Sequence, residues 1–115
     1  MKSIKDISTA LSLFQEAAMK YGDATQTGNY RIGNKNYDKL IEIVAYLKET
    51  DNIDELLQFL NNDNAGIRLA AAVFVLSRHE EKGVQVLEEL SKNYGLLSSV
   101  AEMTLSEWRK GNLKL

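Results

Sequence analysis

The chain has 115 residues, 44% hydrophobic and 26% charged, with a formal net charge of −2 and no cysteine. These values fit one globular domain with a real core and are too small for two ordinary domains. They exclude a disulfide scaffold, a zinc–thiolate site and thiol catalysis. A near-neutral balance also supplies no large field to select nucleic acid or an anionic membrane.

Proline is absent, where about 5% is usual, which suits a chain that is nearly all helix. Met1 to Asp6, followed by a helix carrying Gln15, Glu16 and Lys20, lacks the apolar core of a secretory signal, so a cytoplasmic location is expected.

Ser3 with Asp6 three residues later resembles a capping box and predicts a first helix from near Ser3. Ile4, Ile7, Leu11, Phe14, Ala18 and Tyr21 share one apolar arc. The helix is expected to end at Gly22 or to fray on to Thr27, with Gly28-Asn29 the stronger break. A second helix spans Tyr30 to Glu49 and buries Tyr37, Leu40, Ile41, Val44 and Leu47. Asn52-Ile53-Asp54-Glu55 has the pattern of a capping box opening a third helix, with Leu56, Leu57 and Leu60 in the core.

Asn61 to Asn64 is a turn, and Asn64 or Asp63 caps the fourth helix. From Ile67 to Leu76 that helix is apolar almost all round, the mark of an element enclosed by neighbours. It falls well short of the roughly 20 residues needed to span a bilayer. Its three consecutive alanines, Ala70 to Ala72, let adjacent backbones come close. Ser77 and Glu80 frame a fifth helix with Val84, Leu87 and Leu90 inward, closed by Tyr94-Gly95. A sixth runs from Leu96 to Lys110 and meets a terminal glycine cap at Gly111. The expected fold is therefore all-α, with about six antiparallel helices in three pairs.

A shift of about thirty residues superposes Leu56, Leu57 and Leu60 on Val86, Leu87 and Leu90. It also superposes Ile67, Ala71 and Val75 on Leu97, Ala101 and Leu105. The same register sets Leu69, Ala72 and Leu76 against Ser99, Glu102 and Ser106, an interior face turned polar, as a terminal solenoid unit requires.

Leu56-Leu57 through Leu60, Asp63, Ile67-Arg68 and Ala70-Ala71 together resemble a HEAT-type repeat. The whole layout is similar to a small, uncharacterised bacterial HEAT-like family of about this length. The resemblance implies a short right-handed α-α superhelix: an N-terminal helix pair over 1–50, the best-matching repeat over 51–79 and a degenerate capping repeat over 80–115. It departs from the pattern in lacking proline between the repeat helices and in its poor match over Ser91 to Gly95. It further implies that Asp63 and Arg68 form a structural pair tying the turn to the stack. The functional implication is an interaction module, and some small helical proteins of this type are immunity proteins against bacterial toxins.

No residue pattern specifies catalysis. His79 is the single histidine, so no multi-histidine metal site or histidine pair exists, and its place in a turn reads as structural. Asp51, Asp54 and Glu55 sit at a helix start, where the helix dipole accounts for them. Gly28 to Lys35 fails as a phosphate loop, since Asn34 stands where lysine is required and no strand precedes it. Asn61 to Gly66 fails as a calcium loop because its twelfth position is Ala72. No cofactor and no metal are expected.

Trp108 falls on the arc of Leu97, Ala101 and Leu105 and reads as a core aromatic. Asn36 falls inside the apolar arc of the second helix and needs a partner there, from a loop backbone or a small polar pocket.

The remaining candidate is a basic stripe, Arg31, Lys35 and Lys39, with Tyr46 near it, as a partner-binding face on the inner row of helices two, four and six. The leading expectation is a non-enzymatic protein-binding module, a monomer or weak dimer, of which an immunity-type toxin inhibitor is the most concrete form. The alternative is a protein that grips nucleic-acid backbone, which requires Arg31, Lys35, Lys39, Arg68 and Arg109 to converge on one face.

Overall fold

The computed structural model describes residues 4–115. The first helix, α1 (Ile7–Thr27), is capped by Asp6, whose carboxylate accepts from the Thr9 amide at 2.7 Å. Asp6 is thus the cap itself and not the third helical position, and Ser3 lies outside the described residues. The helix passes through Gly22 without a break and stops at Gly28, whose φ of 73° lets its amide reach Thr25 while the Asn29 amide reaches Ala24. The Asn29 side chain then accepts from the Ile32 amide and starts α2 (Tyr30–Glu49). Two residues therefore end one helix, start the next and fold the pair antiparallel. The end of α2 has the same geometry with Asp51 in the left-handed position, φ 58°.

The third segment is a 3-10 helix, η1 (Ile53–Phe59), and this revises its expected core. At three residues per turn, positions i, i+3 and i+6 share a face. Ile53, Leu56 and Phe59 accordingly point inward, Leu60 follows them, and Leu57 is left half-buried. The capping box does not form either: the Asn52 side-chain amide donates back to the Thr50 carbonyl.

Asn64 caps α3 (Ala65–Val75) by accepting from the Ile67 amide at 3.0 Å. Every residue from Gly66 to Leu76 is buried except the half-buried Arg68, so this is the enclosed central helix. It packs against α1, η1, α4 (Glu80–Ser91) and α5 (Leu96–Arg109). Two of those approaches are at backbone distance. A Cβ on Gly22 of α1 would lie 2.6 Å from the Gly66 Cα, and one on Gly83 of α4 would lie 2.8 Å from the Ala72 carbonyl oxygen. The small residues of α3 are what permit this.

Gly111, at φ 76°, ends α5 as expected. Within α4, Val86, Leu87 and Leu90 are buried and Val84 only half so. Trp108 packs against the core at the end of α5, and its ring N–H donates to Glu80 at 2.6 Å, fixing α5 antiparallel to α4.

The all-α class, the six helices and their pairing stand, with no strand among the described residues. The compact packing argues against the short right-handed superhelix. The molecule measures 37 × 29 × 26 Å with a radius of gyration of 13.1 Å, and about 13 Å is the value for a compact domain of roughly this size. The three pairs, with α3 of the middle pair enclosed, close into a globule before any solenoid axis develops.

Candidate docking groove

The second helices of the three pairs, α2, α3 and α5, border a groove. Leu69, Ala70, Val73 and Phe74 of α3 form its floor. Tyr37 and Asn34 of α2 stand on one side, with Val100 and Thr104 of α5 on the other. Together they enclose a cavity of about 250 Å³. Tyr21 of α1 closes the α2 side through an aromatic chain: its ring centroid is 5.6 Å from Tyr37, which is 6.0 Å from Phe74. Such tilted contacts hold rings in fixed relative positions, so the wall is preorganised. Burial raises the pKa of both phenols, and for Tyr37 the neighbouring Tyr21 raises it further. They therefore stay neutral and present hydroxyls rather than charge.

The groove continues past Asn34 and Val100 into a second hollow beside Tyr30, Gly33, Leu96 and Met103. Three of these side chains are exposed, Tyr30 by 77%, Met103 by 63% and Leu96 by 45%. One side-chain bond sets this end. The α5 N-terminus has glycine at its cap position and no side chain of its own to satisfy the Leu97 amide. Gln26, from the last turn of α1, accepts from that amide at 2.8 Å. A cap is thereby supplied across 71 positions of sequence, and it fixes the start of α5 against the α1–α2 corner.

The predicted binding residues lie elsewhere. Arg31 and Lys35 are exposed, Lys39 and Tyr46 half-buried, and all four sit on the outer side of α2. At 100° per residue they are roughly 140° round the helix from Tyr30, Asn34, Tyr37 and Ile41. Lys39 faces α1, where it shares a small hollow with Glu16, Ala17 and Asn36. The stripe is therefore one surface and the groove another. Ile41, expected in the core, is 46% exposed because its position on the wheel falls on the groove side.

Arg68 pairs with Glu89 of α4 at 3.4 Å, while Asp63 stands exposed in the turn and is not its ion-pair partner. Arg109 likewise pairs with Glu88 at 3.2 Å. Both cations are turned toward α4, so the five-residue basic face does not assemble. Asp51 and Asp54 meet Arg78 and His79 from the end of α3, with His79 Nε2 2.8 Å from Asp54. Asp51 and Asp54 with Arg78 and His79 thus tie the start of η1 to the end of α3, and Glu55 takes no part. Asn36 is buried as expected, but its amide donates to the Ile32 carbonyl of its own helix, and its Oδ1 has no partner among the described residues.

Among the described residues no group of three or more metal-ligating side chains converges, and no helix is long and apolar enough to cross a membrane. No protein-family model matches the chain, and no curated protein matches it. A solved structure does: the crystal structure of the protein RPA1889 from Rhodopseudomonas palustris, at a TM-score of 0.81 and 23% identity, over 94% of this chain and 92% of that one. The two chains share an all-α fold throughout. At that identity the likeness speaks for the fold alone.

Proposed function

We propose that this chain is a non-enzymatic protein-interaction module, acting in the cytoplasm as a monomer or weak dimer, which receives an apolar part of a partner protein in the α2–α3–α5 groove. The observation that carries this reading is the continuity between an aromatic-walled cavity and the exposed side chains of Tyr30, Leu96 and Met103. Single exposed apolar residues are ordinary, but a contiguous set leading into a concave apolar site marks a recognition surface. Tyrosine and methionine also suit such a role: tyrosine offers a large amphipathic contact, and methionine adapts to its neighbour.

The groove retains the inner-row placement that a HEAT-like arrangement gives its binding face, within a closed and compact body. An immunity-type inhibitor of a bacterial toxin is the most specific form of the reading, and finding a toxin gene beside this one in the source genome would support it.

Tyr30→Glu and Met103→Glu should each weaken capture of a partner and leave the helical fold intact. Lys35→Glu with Lys39→Glu should weaken it far less. A partner lost only with the lysine reversal places the interface on the outer face of α2 and overturns this reading.

A further inference from the structure

Leu113, beyond the last helix, borders the groove, and Leu115 packs past its end. After the turn at Gly111 the chain leaves helical geometry. Leu113 is half-buried and borders the cavity beside Tyr37, Phe74 and Thr104. Lys114 is exposed. Leu115 is half-buried again, packed against the core in the next hollow with Lys48, Ile53 and Ser77. Alternation of inward and outward side chains is what an extended segment produces. Leucines two positions apart therefore occupy two separate hollows, Leu113 over α3 and Leu115 beyond its C-terminal end beside Lys48, Asp51 and Arg78. The third hollow, at Tyr30 and Met103, is bordered by α1, α2, α5 and the Asn29 corner, and the tail does not reach it.

We propose that the groove is a channel for an extended partner segment with apolar side chains at alternate positions, and that Leu113-Lys114-Leu115 is its built-in competitor. This rests on the reading of the groove as the partner face and adds the chemistry of the occupant and its regulation. The partner segment enters at the exposed Tyr30–Met103 end, extends toward Phe74, and displaces first Leu113 and then Leu115. Among the described residues the tail makes no side-chain hydrogen bond or ion pair with the groove, so its hold there comes from the two leucines. Exchange for a longer apolar segment that also fills the third hollow is favoured, because the competitor adds contacts the tail lacks. The observed affinity for a partner is lowered by the fraction of molecules whose tail is seated.

The test uses the full chain, as wild type and with Leu113→Asp and Leu115→Asp together, and as probe a dye-labelled synthetic peptide of residues 111–115. The released variant should bind the peptide. Wild type should bind it roughly tenfold more weakly, the ratio expected when the tail is seated about nine-tenths of the time. A peptide with both leucines replaced by aspartate should not bind. A folded released variant that ignores the peptide, or equal binding by both chains, overturns the proposal.

If the double substitution unfolds the chain, amide spectra of wild type with excess peptide decide the matter. Signals of residues 112–115 moving to unstructured positions support displacement, and unmoved signals overturn it. Capture of a partner that depends on Tyr30 and Met103 but is indifferent to the tail substitutions removes the competitor and leaves the groove reading standing. Capture indifferent to all four positions removes both.

Discussion

Gly22 of α1 and Gly66 of α3 touch backbone to backbone. A Cβ on Gly22 would stand 2.6 Å from the Gly66 Cα, and one on Gly66 would stand 2.6 Å from the Ala18 carbonyl oxygen and 2.9 Å from the Gly22 Cα. No flexible side chain is available to give way at either contact. The crossing seats α1 directly on the central helix and leaves α2 and α5 to flank the groove.

Gly22→Ala and Gly66→Ala should therefore both destabilise the protein. In an uncrowded helix the first substitution gains about 1 kcal/mol from propensity, whereas forcing a methyl into a packed contact typically costs about 1–3 kcal/mol. The sign of the change is thus diagnostic. Urea denaturation should show a lower midpoint for each variant, and a raised midpoint for Gly22→Ala removes the close crossing.

The three-residue period of η1 gives a graded prediction. Leu56→Ala, at a fully buried position, should cost about 2–5 kcal/mol and Phe74→Ala about 3–5 kcal/mol. Leu57→Ala should cost clearly less than Leu56→Ala, since Leu57 is only half-buried. Equal losses at 56 and 57 would mean that the segment turns with the α-helical period instead.

Arg68 and Glu89 should couple. The Arg68 side chain is 24% exposed and its partner's 54%, at 3.4 Å, so a double-mutant cycle should return a modest coupling of about 0.2–1 kcal/mol. The Arg68–Asp63 cycle should return additive changes. Coupling to Asp63 in place of Glu89 would restore the repeat-type pairing that the sequence suggests.

Asp54 supplies a pH dependence of known sign. The His79 hydrogen bond holds its carboxyl below the ordinary value of 3.8; desolvation opposes it, and the nearby charges of Arg78, His79 and Lys82 each add a smaller lowering. A carboxyl depressed in the folded state contributes stability that is complete above its unfolded value and lost as pH falls through its folded value. That contribution should be intact above about pH 4 and disappear on further acidification. Asp54→Asn should flatten this part of the stability profile, and carbon-detected titration of Asp54 should give a midpoint below 3.8. A midpoint at or above that value contradicts the tie to His79.

Much of the fold is legible in the sequence because the signals are local. The bounds of α2 follow from Gly28-Asn29 and the α-helical spacing, and the all-apolar run after Asn64 marks the enclosed helix. Legibility ends where a partner far along the chain decides the outcome. Gly22 looks like a terminator until Gly66 is seen against it. Nothing near Gly95 announces that Gln26 will cap α5. Ile41 shares an arc with true core residues and yet is exposed, and Arg68 meets a glutamate twenty-one positions away. The groove itself is built from four helices and Leu113, so no single stretch carries its pattern. The basic stripe stands out in sequence because like charges at helical spacing are conspicuous, whereas Tyr30, Leu96 and Met103 become a patch only once α2 and α5 border the same hollow.

The central claim, that a partner docks between α2 and α5, is tested most directly by site-specific crosslinking. Because the chain has no cysteine, one introduced thiol carries a photo-crosslinker to a single place. With the probe at Met103→Cys, illumination in an extract of the source organism should yield one discrete crosslinked protein, competed by unlabelled wild-type chain. With the probe at Lys35→Cys, on the outer side of α2, the same protein should not be trapped. Efficient trapping from position 35 with none from position 103 would contradict the account.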